Sequence, residues 1–172
     1  MKATTLLLRL STLAMALAIA PSAFAQAWPA KPVRLVAAFP PGTPGDVIAR
    51  LIQPALQAAW NQPVVIENKT GAGGNLAAGE VAQAKDEHTL LVGPDTILTI
   101  NPHLYKKLSF NLRSSLKPVT YFASFNQMLV CNPVAETTSL AKFVQLPPTR
   151  LYASGGAGTP SHMAMEMLLA TS

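Results

Sequence analysis

The chain has few of the residues on which metal sites and many enzymes depend. Cys131 is the single cysteine among 172 residues, so no disulfide can form within the chain. It lies in an apolar run, which predicts a small buried hydrophobic residue rather than a reactive thiol. His88, His103 and His162 are far apart and have no ligand partner at helical spacing. We therefore expect no metal site and no cofactor.

Acidic residues and runs of like charge are also scarce. There are 8 Asp and Glu residues, and no pair of them has catalytic spacing, so no catalytic residue is predicted. The 13 Lys and Arg residues give a net charge of +5 but form no run. Such a charge is a weak indication of nucleic-acid binding and fits an anionic ligand equally well. We expect no nucleic-acid partner.

Long apolar stretches are absent beyond the N-terminus. Lys2 and Arg9 precede the apolar stretch 10–20, and the small-x-small pattern 23–25 follows it, which predicts a secretory signal cleaved after Ala25. The stretch is shorter than the roughly 20 residues that cross a bilayer, although an uncleaved anchor is the alternative. No later segment is long enough, so no transmembrane span is expected in the mature chain. Loss of the two cations would lower the net charge from +5 to +3.

Apolar periodicity and breakers predict strands that alternate with helices. Asp46 is predicted as the N-cap of the first helix, and Pro54 as a kink inside it. An Asn101-Pro102 break is expected in a mixed region 95–107. The strands are predicted at 33–39, 63–67, 89–92, 118–123, 127–131 and 151–153, and the helices at 47–59, 75–84, 138–144 and 163–169. This alternation predicts an α/β fold with mainly parallel strands.

Three glycine-rich loops lie at 40–45, 71–74 and 154–158. The first and third lead from a predicted strand to the start of a predicted helix. Such a turn exposes unpaired amide groups at the positive end of the helix, and glycine lets a ligand approach the backbone. Each helix end stabilises an anion by about 0.3 to 2 kcal/mol. Two of these loops could hold one carboxylate; the alternative is that the glycines only form tight turns.

More specific motifs do not fit the spacing. A dinucleotide fingerprint starting at Gly71 would need a third glycine where Leu76 stands. No loop has the lysine of a phosphate-binding P-loop. Ser154 follows a predicted strand like a hydrolase nucleophile, but Tyr152 occupies the place of the required glycine. A small secreted hydrolase using Ser154 or Ser161 with His162 is therefore only a weak alternative.

Seven short motifs occur in order along the mature chain: WPAKPVRLV at 28–36, FPPG at 39–42, QPVVIEN at 62–68, GAGGN at 71–75, NPHLY at 101–105, YASG at 152–155 and GTPSH at 158–162. Together with Asp46, they resemble the Bug/TctC family (UPF0065-like), the extracytoplasmic solute receptors of tripartite tricarboxylate transporters. Each motif alone is weak, but their order and spacing are specific.

The resemblance implies a periplasmic-binding protein of the Venus-flytrap type, in which two α/β lobes close on a ligand. It implies no enzyme activity, a small carboxylate as ligand, the periplasm as location, and the membrane subunits of a transporter as partners. Its lobes would span 26–125, nearly complete, and 126–172, incomplete, after a signal peptide at 1–25. The implied ligand-binding residues are Pro41, Gly42, Thr43 and Asp46 in the first loop, and Ser154, Gly155, Gly158, Thr159, Ser161 and His162 in the third.

The chain departs from the family pattern at several points. Thr43 stands where the family usually has a second glycine, and Pro54 is unexpected in the first helix. Family members run to about twice this mature length. The sequence therefore suggests a truncated chain, and the alternative to a working receptor is a remnant without activity.

Overall fold

The computed structural model describes residues 27–132, 139–146 and 151–171. The chain divides into two compact units, Met1–Ala30 and Lys31–Ser172. The predicted signal peptide 1–25 and its cleavage site lie outside the described residues. Every helix and strand of the described residues belongs to the second unit.

Three parallel strands form the central sheet in the order β2-β1-β3. They are β1 (Val33–Ala37), β2 (Val64–Asn68) and β3 (Thr89–Val92). Leu35 of β1 pairs with Ile66 on one side and with Leu90 on the other. The middle strand is buried at all but one of its positions, because strands flank both of its edges and helices pack on its faces. The predicted α/β fold with parallel strands is confirmed.

Two helices connect the strands and cover the sheet. Helix α1 (Pro44–Trp60) joins β1 to β2, and a 3-10 turn (Ala72–Gly74) with helix α2 (Asn75–Gln83) joins β2 to β3. The two connections run in opposite directions across the sheet, so right-handed crossovers place the helices on opposite faces. The core on the α1 side contains Val33, Leu35, Ala49, Val64 and Val92, with Phe39, Leu56, Trp60, Ile66 and Leu90 packed against it.

Helix α1 differs from its prediction at its start. Thr43, not Asp46, is the N-cap residue, and Pro44 occupies the first helical position. Proline is favoured there because its missing N–H would have no helical acceptor and its φ angle already suits the helix. Asp46 lies in the first turn instead. The helix continues without interruption through the exposed Pro54.

In the described part of the chain, four more helices follow the third strand. Helices α3 (Thr96–Thr99) and α4 (Asn101–Leu104) meet at the predicted Asn101-Pro102 break. Ser139 is the N-cap of helix α5 (Leu140–Val144), and its hydroxyl oxygen accepts a hydrogen bond from the Lys142 amide at 3.3 Å. Helix α6 (Pro160–Thr171) begins three residues before its predicted start.

The strands predicted at 118–123, 127–131 and 151–153 are wrong. Residues 105–132 and 151–153 contain no helix or strand. Their apolar residues favour strands, but a strand needs a hydrogen-bonded neighbour, and no described segment pairs with them. Val119, Met128 and Leu151 are 80%, 84% and 98% exposed. Cys131 lies in the same segment and is exposed, so its predicted burial is also wrong.

Across the described part of the chain, none of the helices combines the length and apolar character that spanning a membrane would require.

Candidate functional site

The first glycine loop leaves the carboxyl end of the central strand β1 and enters α1. Gly42 adopts a φ of 79°, in the left-handed region that favours glycine. Thr43 folds the loop back, because its hydroxyl donates to the Pro40 carbonyl oxygen at 2.7 Å and its amide donates to the same oxygen at 3.3 Å. Among the described residues, the amides of Gly45 and Asp46 at the helix start have no protein acceptor. Pro41 is exposed beside them.

Asp46, in the first turn of α1, is a buried anion beside this loop, with only 2% of its surface exposed. Its carboxylate accepts hydrogen bonds from Arg50 Nε at 3.0 Å, from Asn68 Nδ2 at 2.7 Å and from the Gly42 amide at 2.8 Å. These donors, Arg50 foremost and then Asn68 and Gly42, hold the pKa of Asp46 well below its ordinary value. The carboxylate is thus fully engaged by the chain itself and fixes the loop against the end of β2.

The third glycine loop has the same relation to α6. Gly158 is buried and adopts a φ of 80°. The Thr159 hydroxyl donates to the Gly156 carbonyl oxygen at 2.7 Å, and the Thr159 amide donates to it at 3.2 Å. Within the described ranges, the amides of Ser161 and His162 have no protein acceptor. The loop also has its own brace, since Ser161 Oγ accepts from the Gly155 amide at 3.0 Å and Ser154 Oγ accepts from the Gly156 amide at 3.3 Å.

The two helix starts are therefore copies of one local structure. In both, a left-handed glycine is followed by a threonine that bonds to the carbonyl three residues earlier, and then by a proline that begins the helix. The repeated Gly-Thr-Pro at 42–44 and 158–160 is the sequence signal for this shared structure, and it is found by comparing the two loops with each other. The copies differ two residues after the proline, where the first has Asp46 and the third has His162.

This difference decides which backbone amides of each loop have no hydrogen-bond acceptor. In the first loop the carboxylate of Asp46 already accepts from the Gly42 amide. In the third loop the equivalent Gly158 amide has no acceptor among the described residues. His162 Nδ1 is buried and lacks a partner there as well, while its Nε2 lies 3.9 Å from Glu166 Oε1. The third loop is therefore the less satisfied of the two helix starts.

The second glycine loop lies between the other two. A side chain at Gly74 would come within 3.2 Å of Ala38 Cβ, the first residue after β1. A side chain at Gly73 would come within 3.1 Å of the Ala157 carbonyl oxygen in the third loop. Gly73 and Gly74 both have positive φ angles, 62° and 92°. The carboxyl edge of the sheet thus gathers all three glycine loops, as expected for a ligand site in an open parallel sheet.

The predicted ligand-binding residues fall into two groups at this edge. No hydrogen bond or ion pair of the described residues joins the first loop directly to the third.

An open hollow of about 510 Å³ lies elsewhere, between β1, α2 and Ser109. Its charged residues are already paired, since Glu80 forms ion pairs with Arg34, at 2.7 Å between Oε1 and the guanidinium, and with Lys69. Within the described part of the chain there is also no cluster of side chains that could hold a metal ion.

Comparisons with known proteins identify relatives of this chain. A UPF0065 protein of Bordetella pertussis is 38% identical over 98% of this chain and 53% of its own length. Protein BugT of the same organism is 31% identical over 87% of this chain and 48% of its own length. The chain thus spans about half the length of the curated relatives it matches.

A solved structure shows the same fold. The R. palustris protein Rpa4515, determined with adipate, is 30% identical, with a TM-score of 0.74 over 81% of this chain and 48% of its own length. The model of the family described as "Tripartite tricarboxylate transporter family receptor", TctC, matches residues 48–172. This is a family of receptors and not of enzymes, so the hydrolase alternative finds no support. The resemblance seen in the sequence is confirmed, and the chain belongs to the TctC family of solute receptors.

Proposed function

We propose that this protein is exported to the periplasm, with cleavage after Ala25, and captures a small carboxylate for a tripartite transporter. The membrane subunits of that transporter would be its partners. In this proposal the lobes span 26–125 and 126–172. The observation that supports it most strongly is the pair of matching Gly-Thr-Pro helix starts at one edge of the sheet. The adipate bound to the related Rpa4515 supports a dicarboxylate as the ligand class.

The start of α6 is the proposed anchor for the carboxylate. Its amides at Gly158, Ser161 and His162 belong to a helix N-terminus, where they favour an anion by about 0.3 to 2 kcal/mol. The hydroxyls of Ser154 and Thr159 brace this loop, and the flexible backbone of Gly155 lets a ligand approach.

The first loop would form the opposite wall of the site. Pro41, Gly42 and Thr43 would approach the ligand through their backbone. Asp46 would act indirectly, because its carboxylate is buried and holds Gly42 in place. A second negative charge next to Asp46 would be repelled, which favours α6 over α1 as the anion anchor.

Isothermal titration of the full chain tests the ligand class. We expect a dicarboxylate such as adipate, malate or citrate to bind, and the neutral diamide of adipic acid not to bind, because the amides of a helix start favour an anion. Equal binding of the diamide, or no binding of any carboxylate, would contradict the proposal.

The substitution His162→Asp tests the anchor. It places a carboxylate four residues after Gly158, as Asp46 stands four residues after Gly42, so the new side chain would take the amide meant for the ligand. We expect carboxylate binding to weaken by about tenfold or more, in line with the 1.4 kcal/mol that a tenfold change represents. The control is His103→Asp, the same exchange at an exposed position of α4. If both variants bind like the original chain, the anchor lies elsewhere.

A further inference from the structure

Asn101, the first residue of α4, is a fully buried polar side chain, with 0% exposure. Its Nδ2 donates to the Gly73 carbonyl oxygen at 3.0 Å and to Asn75 Oδ1 at 2.9 Å. Its Oδ1 accepts no hydrogen bond from the described residues. A buried amide with an unsatisfied oxygen costs free energy, so packing around it must hold it there.

The third glycine loop lies directly against this side chain. Asn101 Oδ1 is 2.7 Å from the point where a Cβ of residue 158 would stand, so only glycine fits there. Four residues along the chain, the Tyr105 hydroxyl donates to the Ala157 carbonyl oxygen at 2.9 Å. The stretch 101–105 thus holds the second loop through Gly73 and the third loop through Ala157 and Gly158.

We propose that Asn101 and Tyr105 are positioning residues that latch the third glycine loop onto the second. This inference rests on the proposed function, because the latched loop presents the amides that would bind the carboxylate. The second loop in turn lies against the end of β1 and against α3, since Gly74 packs against Ala38 and Ile97. Its effect is to hold the anion-binding backbone in place before a ligand arrives, which lowers the entropy cost of binding.

Tyr105→Phe tests the latch in the full chain without ligand. It removes one partly exposed hydrogen bond and leaves the packing of the ring. We expect the hydrogen-bonded amides of Thr159 and Met163 to exchange with deuterium about threefold to tenfold faster, since such a bond contributes about 0.5–1.5 kcal/mol. The amides of β1 should exchange at their original rate.

The matched control is Tyr152→Phe. Tyr152 donates its hydroxyl to Glu166 Oε1 at 2.5 Å and makes no hydrogen bond to the second loop among the described residues. The Tyr152→Phe variant should leave the exchange of the hydrogen-bonded Gly74 amide unchanged, whereas Tyr105→Phe should accelerate it. If Tyr105→Phe leaves loop exchange as in the original chain, the latch is overturned whether or not any carboxylate binds.

Affinity separates positioning from a purely structural role. With the dicarboxylate that binds the original chain, Tyr105→Phe should raise Kd by about threefold to tenfold while the urea midpoint stays within the range of the Tyr152→Phe control. Faster loop exchange with an unchanged Kd would overturn the role in ligand binding. Asn101→Ala should accelerate loop exchange and raise Kd more than Tyr105→Phe does, because it removes two hydrogen bonds. A smaller effect of Asn101→Ala on loop exchange would contradict the role of Asn101 in the latch.

Discussion

At the scale of single residues, Asp46 explains how a charged side chain can be buried at a helix start. It is surrounded by donors from its own helix, from the loop before it and from the end of β2. The positive end of α1 adds to their attraction. The sequence singles out Asp46 by its place after a glycine loop. It does not reveal Asn68 as a partner, because that contact joins residues 22 positions apart.

Asp46→Asn should lower the urea midpoint at pH 7, because the neutral amide loses the charge-assisted bonds to Arg50 and Asn68. The folded pKa of Asp46 is depressed, so its stabilising effect is fully present above the unfolded pKa of about 4 and is lost as the pH falls toward the folded pKa. The difference between variant and original chain should therefore shrink below about pH 4. Urea unfolding at pH 7, 4 and 2.5 measures this.

The control for this experiment is Asp95→Asn, which removes the charge of an exposed carboxylate at the start of α3. It should change the midpoint little at any of the three pH values. A midpoint for Asp46→Asn that equals that of Asp95→Asn at pH 7 would contradict the stabilising role of the buried carboxylate.

At the scale of elements, the predictions made for residues 33–83 agree closely with the structure. Continuous apolar runs predict buried parallel strands, and glycine and proline mark where they end. Helix α1 begins three residues before its predicted start, because Pro44 is favoured at the first helical position. The equivalent start of α6 at Pro160 precedes its prediction for the same reason.

Helix α1 contains a removable source of instability at Pro54. A proline in a helix interior removes one backbone hydrogen bond and is less favourable than alanine by about 3 kcal/mol. Because Pro54 is exposed, its replacement disturbs little packing. Pro54→Ala should therefore raise the free energy of unfolding by up to about 3 kcal/mol in urea titrations.

Pro44→Ala provides the comparison within the same helix. Proline is favoured at this first helical position, so the exchange should give no gain in stability. An equal gain in the free energy of unfolding from both substitutions would mean that the gain does not come from the position of Pro54 inside the helix.

At the scale of the whole molecule, a regular α/β part contrasts with the segment 105–132. The sheet and its two helices bury apolar residues on both faces of β1. The segment has no helix or strand, and it exposes large side chains such as Tyr121, at 76%, and Val130, at 75%. Backbone without secondary structure opens at low free-energy cost and is the preferred substrate of proteases.

Brief digestion with chymotrypsin should therefore cut first near Tyr121, Phe122 or Met128. Trp60, at the end of α1, has equally suitable chemistry but lies in a helix packed on the sheet, so it should be cut much later. Mass spectrometry of the earliest fragments identifies the sites. First cuts within residues 33–83 would show that the sheet and its helices are not the stable part of the molecule.

The sequence by itself determined the three parallel strands, the helices between them, the glycine loops and the family, because these depend on local patterns of apolar, glycine and proline residues. Only the tertiary structure decided that the Asp46 carboxylate accepts its hydrogen bonds from the chain itself, that no described segment pairs with 118–131, and that Asn101 and Tyr105 contact the third loop. A strand or a latch exists only when a distant segment supplies the partner. That pairing is set by how the whole chain packs, since the hydrogen-bonding groups are the same along every part of the backbone.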